Sequence, residues 1–174
     1  MSAVDNTPSN KNFLSPLNFK FIIKRAPHLN FFVQKVTIPG ITLPAAYSPN
    51  PIVRIPEIGD QLEYDELSIS FRVDENLQNY LEIQNWMRGS GKQSFEQYST
   101  LAANPSYTGE SIKSVVSLTV LSSAKRPNYE FVFEEAFPTK ISSITFDSSM
   151  EDVSYIEAEV QFRYIKFEIL KITA

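Results

Sequence analysis

Cysteine is absent from the 174 residues, which removes disulfides, zinc ribbons and thiol nucleophiles together. Histidine is nearly absent. His28 stands alone, beside a proline in an apparent turn, with no second histidine to share a metal and no evident group to orient its ring. It reads as a solvated turn residue. A basic excess is missing too. With 16 Lys and Arg against 20 Asp and Glu, a net charge of −4 and a pI near 5.1, the chain lacks the footprint of a fold that grips nucleic acid. No run approaches the roughly 20 apolar residues of a membrane span. The polar start MSAVDNTPSNKNFLSP has no apolar stretch of signal-peptide type, so a soluble protein without a standard export signal is expected.

The patterns of common catalytic sites are missing as well. Gly89-Ser90-Gly91-Lys92 has the composition of a phosphate loop, but its glycines follow a helical pattern instead of preceding one, and no Lys-Ser or Lys-Thr pair closes it. There is no Asp-x-Asp-x-Asp-Gly calcium loop and no Gly-x-Ser-x-Gly elbow. Glu134-Glu135 and Glu151-Asp152 are adjacent acidic pairs, but neighbouring strand residues point to opposite faces, so adjacency does not make an acid–base pair. No enzyme, cofactor or metal is expected.

What is present is a β pattern. Hydrophobic residues make up 43% of the chain, with 13 Phe and 8 Tyr, enough for a real core and biased towards strands. Residues 1–16, rich in Ser, Asn, Pro and Lys, read as a flexible or docking arm. Residues 17–174 read as one β domain. Phe19, Phe21 and Ile23 alternate with polar neighbours in a strand over 18–24. Pro27 to Asn30 reads as a turn and 31–38 as a second strand, stopped by Pro39-Gly40. Four prolines between Thr42 and Asp60 demote that stretch to an edge strand or extended loop. Leu67, Ile69, Phe71 and Val73 share one face of the clearest strand, opposite Glu66, Ser68, Ser70 and Arg72.

A helix is expected over 75–88, with Asp74 as N-cap and Gly89 as the stop. Leu77, Tyr80, Leu81, Ile83 and Met87 fall on its apolar face, and Trp86 near the opposite edge. A short helix is expected over 95–103. Strands then return around Val116–Val120, Tyr129–Glu134 and Ile141–Phe146. The last runs from Tyr155 to about Leu170. Its apolar positions are even at Ile156, Ala158, Val160 and Phe162, then odd at Ile165, Phe167 and Ile169. A bulge or bend that carries the strand from one sheet to another explains the flip, as does a strand end buried on both faces. Seven or eight strands with one main helix predict a mainly β, antiparallel sandwich or barrel with a flanking helix.

Trp86 packs at the edge of the core or serves as an exposed anchor at a subunit interface. Phe95 and Tyr98 carry the same two readings, and Phe13 and Leu14 are the apolar pair of the arm. These five are the candidate interface residues. A second functional class remains open: a β-sandwich module that binds carbohydrate or peptide by stacking on Trp86, Tyr98 and Tyr107.

Three segments, in order, resemble the tail-tube family of contractile-tailed bacteriophages. Lys35-Val-Thr-Ile-Pro-Gly40 is similar to its strand-ending Leu-Pro-Gly segment. Leu67-Ser-Ile-Ser-Phe-Arg-Val73, followed by Asp74-Glu75 and a helix with Trp86, resembles its strand, acidic turn and helix. Phe137-Pro-Thr-Lys-Ile-Ser142 and Tyr155-Ile-Glu-Ala-Glu-Val-Gln-Phe-Arg-Tyr164 resemble its C-terminal elements. The chain departs from the family where Glu134-Glu135-Ala136 replaces a common Gly before the Phe-Pro-Thr element. The resemblance implies the tail-tube β fold, in a major tube subunit or a baseplate tube initiator. It also implies hexameric rings whose sheets join into a barrel, stacked through the arm and loops beside sheath or baseplate proteins. The setting would be a virion tail assembled in the host cytoplasm, with DNA passing the lumen without specific binding. A negative lumen would repel phosphates, and Glu66, Glu130, Glu157 and Glu159, on polar strand faces, are the candidates to line it.

Overall fold

The computed structural model describes residues 12–49, 51–93, 95–149 and 155–172. The first 11 residues of the expected arm and the Glu151-Asp152 pair lie outside them. In chain order the elements are β1 (Phe19–Ile23), α1 (Pro27–Phe32), β2 (Val33–Thr37), β3 (Ile41–Thr42), β4 (Ala45–Ser48), β5 (Ile55–Ile58), β6 (Glu63–Tyr64) and β7 (Leu67–Arg72). Then come α2 (Gln78–Ser90), α3 (Phe95–Ala103), a 3-10 turn (Ser106–Thr108), β8 (Ser114–Leu121), β9 (Pro127–Ile141), β10 (Glu157–Arg163) and β11 (Lys166–Lys171).

The fold is mainly β and antiparallel, as expected. Its main sheet runs β1-β8-β9-β10-β7-β2, and β11 pairs with β9. The long β9 holds it together. Tyr129 to Phe133 lie between β8 and β11, whereas Phe137 to Ile141 pair with β10. The expected break between 134 and 141 is therefore a single strand carrying two bulges. Ser114 and Val116 of β8 face Ala136 and Phe133, so Glu134 and Glu135 together oppose one residue. Glu135 takes φ +53°, a left-handed conformation that a non-glycine residue adopts at a cost of about 1–2 kcal/mol. A glycine at this step would relieve that strain, whereas here Lys113 Nζ binds the Glu135 carboxylate at 2.6 Å. Thr139 is the extra residue of the second bulge, and its hydroxyl donates to the Gln161 carbonyl at 3.2 Å.

The phase flip of the last strand is a passage from one half of the sheet to the other, both joined by β9. Ala158, Val160 and Phe162 of β10 face the core beside β7, the chain breaks stride at Tyr164-Ile165, and Phe167 of β11 faces Phe133 of β9. An aromatic cluster fills the corner. The Tyr164 ring lies 5.1 Å from Phe133 and 5.9 Å from Tyr64, and Phe167 lies 5.4 Å from Phe133. The Tyr164 hydroxyl donates to the Asp65 carbonyl at 2.9 Å. Burial first, then the negative charge of Asp65, pushes the Tyr164 pKa up to about 12.

Among the described residues there are three α-helices where one main helix and a short one were expected. Pro27 to Asn30 begins α1 and is not a turn. Proline at the first helical position forfeits no intrahelical bond, and the His28 N–H donates to Glu82 of α2 at 3.2 Å. Helix α2 starts at Gln78, three residues later than expected, and runs through Gly89. A Cβ on Gly89 would meet Leu101 of α3 at 2.7 Å, so this glycine lets two helices approach. Gly91 ends the helix, its N–H donating to the Met87 carbonyl at 2.8 Å.

Candidate assembly surfaces

The candidate residues fall into different places. Trp86 is 1% exposed, which fits the core-packing reading and corrects its alternative as an exposed interface anchor. Its indole N–H donates to the Ile112 carbonyl at 2.5 Å, its ring stands 5.8 Å from Phe162, and the Arg25 guanidinium lies over it at 5.5 Å. Burial lowers the pKa of Arg25. The apolar face drawn for α2 was rotated. Asn79, Ile83, Trp86 and Gly89 are buried, whereas Leu77 and Leu81 are exposed. Asn79 faces inward because its amide donates to the Arg72 carbonyl at 2.8 Å and its side-chain oxygen accepts from the Asp74 N–H at 3.2 Å.

Phe13 and Leu14 are exposed, and Phe95 projects from the start of α3. Tyr98 is half-buried, with the Lys92 ammonium 4.9 Å above its ring. Tyr107 is exposed on the 3-10 turn. Trp86, Tyr98 and Tyr107 therefore do not form a stacking platform, since one of the three is sealed in the core. His28 lies at the α1–α2 contact, with Nδ1 at 2.5 Å from Glu82 Oε1. The hydrogen bond, then the charge, of Glu82 raises its pKa.

Three of the four candidate carboxylates belong to one polar face. Glu157 and Glu159 of β10 stand opposite Arg72 and Ser70 of β7, away from core-facing Ala158 and Val160. Glu66, just before β7, binds Arg163 Nε at 2.8 Å. The Ser68 hydroxyl donates to Glu159, and Arg72 lies 3.9 Å from Glu157. Glu130 sits apart, on β9 between Thr119 and Leu170. Lys35, Lys140, Arg72 and Arg163 occupy positions along the same β2-β7-β10-β9 face, so it is a mosaic of both signs.

Two surface features gave no signal of their function in the sequence. One is the Pro-rich stretch, which forms a hairpin arm. Ile41 and Thr42 pair with Tyr64 and Glu63 at its base, and Ala45 to Ser48 pair with Ile58 to Ile55 beyond. The residues of β4 and β5 are nearly all exposed, including Tyr47, Ile55 and Ile58. The other is the set of sheet edges. Among the described residues β1, β2 and β11 each have one strand neighbour, and β1 and β2 end the main path of the sheet. Among the described residues, no cluster of three or more acidic or histidine side chains could hold a metal ion. No helix there is long and apolar enough to cross a membrane.

A family model described as phage tail tube protein matches residues 5–170. No curated protein matches the chain. Among solved structures, the chain is similar to one described as the tube-terminating cap of the anti-feeding prophage, with TM-score 0.63 and 12% identity over 99% of this chain and 100% of that one. It is also similar to a chain from the 6-fold symmetrised anti-feeding prophage baseplate, with TM-score 0.59 and 13% identity over 87% and 90%. A third is a chain from the sheath/tube terminator of an extracellular contractile injection system in its extended state, with TM-score 0.59 and 13% identity over 92% and 99%.

Proposed function

Because the chain belongs to the phage tail tube protein family, we propose that it is a structural subunit, without catalytic activity, that forms a homo-hexameric ring of a tail tube or of its baseplate-proximal end. The observation that carries this reading is the open-ended sheet. β1 and β2 each present an unpaired row of backbone donors and acceptors, the groups that lone soluble proteins cover. Pairing of β1 of one copy with β2 of the next covers the two ends of the sheet's main path and closes a ring, leaving β11 as a further edge. The likeness to a chain from a 6-fold symmetrised baseplate supports six copies.

In this reading, the polar face of β2, β7 and β10 lines the channel, with Glu66, Glu157 and Glu159 on it. Their partners Arg163, Arg72 and Ser68 make the wall less negative than carboxylates alone would. Lys35 and Lys140 on the same face form no ion pair among the described residues, so the wall carries both signs and not a uniform negative charge. The setting would be a tail assembled in the host cytoplasm, beside sheath or baseplate neighbours. Phe13, Leu14 and Phe95, being exposed, remain proposed contacts.

Electron microscopy of the purified protein at rising concentration, with sedimentation velocity in parallel, tests this reading. Six-fold rings or stacked tubes are expected. A species that stays monomeric at high concentration, with no ring in the intact particle, refutes it.

A further inference from the structure

Helix α1 ties together the two strands that end the main path of the sheet. No residue separates Phe32 from Val33, so α1 runs straight into β2. On its other side, the Asn30 side chain accepts from the Ile23 N–H at 2.7 Å and donates to the Ile23 carbonyl at 3.1 Å. Ile23 is the last residue of β1. The seating of this one helix therefore sets the end of one edge strand and the start of the other.

Little holds α1 in place. It has six residues, of which Leu29 is buried, and no side chain caps its first turn from the N-cap position. Six residues are too few to persist by helix propensity, so contacts with other elements decide. α2 supplies the polar one. The two oxygens of Glu82 accept from the His28 N–H at 3.2 Å and stand 2.5 Å from His28 Nδ1. The imidazole is more than half exposed, so solvent protons reach it. As a cation it donates its Nδ1–H to a carboxylate, a charge-assisted bond roughly twice as strong as a neutral one. As a neutral ring it keeps a weaker bond at best.

α1 packs against α2, β1 and β7. The charged residues of those elements are Glu82 and Arg88 on α2, Lys20 on β1 and Arg72 on β7. Arg88 bonds Gln93, Arg72 lies by Glu157 and Tyr155, and Lys20 stands opposite Thr119 of β8. Between β1 and α1, Lys24 bonds the Tyr107 carbonyl and Arg25 lies over Trp86. Glu82 and, more weakly, Asp74 ahead of α2 act on the imidazole, and both favour its charged form. We propose that α1 is a pH-responsive latch: protonated His28 fastens it to Glu82 and orders the β2 edge, and loss of the proton loosens that edge. The latch is a property of the single chain. Its consequence, that copies join through β2 more readily below the His28 pKa than above it, rests on the tube reading.

Amide hydrogen exchange of the whole chain between about pH 5.5 and 8.5, the range in which histidine titrates, reads the latch directly. Protection from His28 to Val36, corrected for the intrinsic pH dependence of exchange, falls severalfold as pH rises through the His28 pKa read by proton NMR. β8, inside the sheet, keeps its protection. His28→Gln and Glu82→Gln each give a flat profile, and sedimentation velocity shows wild-type assembly falling over the same window. A flat wild-type profile, or a step that survives in His28→Gln, overturns the latch, and rings seen by microscopy then leave the tube reading standing. A step in protection without assembly at any pH supports the latch and removes the tube reading.

Discussion

Replacing Trp86 by phenylalanine tests whether this residue holds the fold together. The indole is 1% exposed and donates to the Ile112 carbonyl. Phenylalanine has no donor, so that half-buried carbonyl loses its partner at a cost of about 1–3 kcal/mol. The smaller ring also leaves a void beside Phe162. Deleting one buried methylene costs about 0.5–1.5 kcal/mol, and the indole exceeds the phenyl ring by more than that. Loss of the Arg25 contact over the ring contributes less than about 1 kcal/mol on a half-exposed guanidinium. The sum is about 2–4 kcal/mol, set against a typical total stability of about 5–15 kcal/mol. In urea, with a slope near 2 kcal/mol per M, the midpoint falls by about 1–2 M. Far-UV circular dichroism is the assay, because the substitution removes the sole tryptophan. In the wild type, Trp86 emission is blue-shifted and resists iodide. As a control, Phe95→Ala on the exposed start of α3 shifts stability by less than about 0.5 kcal/mol. A Trp86→Phe loss under 1 kcal/mol, or a wild-type tryptophan that iodide quenches freely, refutes the buried assignment.

Glu135→Val destabilises by about 1–3 kcal/mol in the same denaturation experiment, since a β-branched residue tolerates φ +53° poorly. Glu135→Gly stays within about 1 kcal/mol of wild type, relief of strain offsetting the lost Lys113 pair and the freer unfolded chain. His28 titrates above 6.5 by proton NMR, where a single histidine gives one resonance, and Glu82→Gln brings it back down. The raised value means that the stability supplied by the Glu82 pair is full below pH 6.5 and is lost as pH rises through the folded pKa. Ultraviolet titration shows a tyrosine that ionises near pH 12, and Tyr164→Phe removes that step. Neutral Tyr164 supports the fold fully below pH 10, and that contribution is lost as pH rises through about 12.

Periodicity carried the reading furthest where one face is core and the other is polar. β7 and β8 alternate buried and half-buried residues without a break, and the sequence shows the same alternation. The flip at Tyr164-Ile165 was legible because apolar parity changes where the chain crosses from one half of the sheet to the other. β9 was misread as two strands because its bulges at Glu135 and Thr139 reset the period twice and place Pro138 inside the ladder. α1 was hidden because its N-terminal partner, Glu82, lies 54 residues away. The phase of α2 was misjudged because a buried asparagine occupies its inner face, and that is decided by the Arg72 carbonyl and the Asp74 N–H, which no helical wheel contains. The hairpin arm showed in the sequence only as a cluster of prolines. Its pairing joins Ala45–Ser48 to Ile55–Ile58 with no alternating pattern in the sequence to announce it.

The continuity of β9 has a mechanical consequence. One covalent strand crosses from the β8–β11 region to the β10 region, and β10 and β11 follow it as a second near-continuous strand across the same boundary. Hence there is no seam along which the two halves of the sheet can part. A pull along the strands loads many ladder hydrogen bonds in shear at once, and any relative rotation must concentrate at the Glu135 bulge and the Tyr164-Ile165 step. A subunit built this way passes an axial push from one end to the other as a stiff plate, with the aromatic corner around Tyr164 bracing the place where it would otherwise fold.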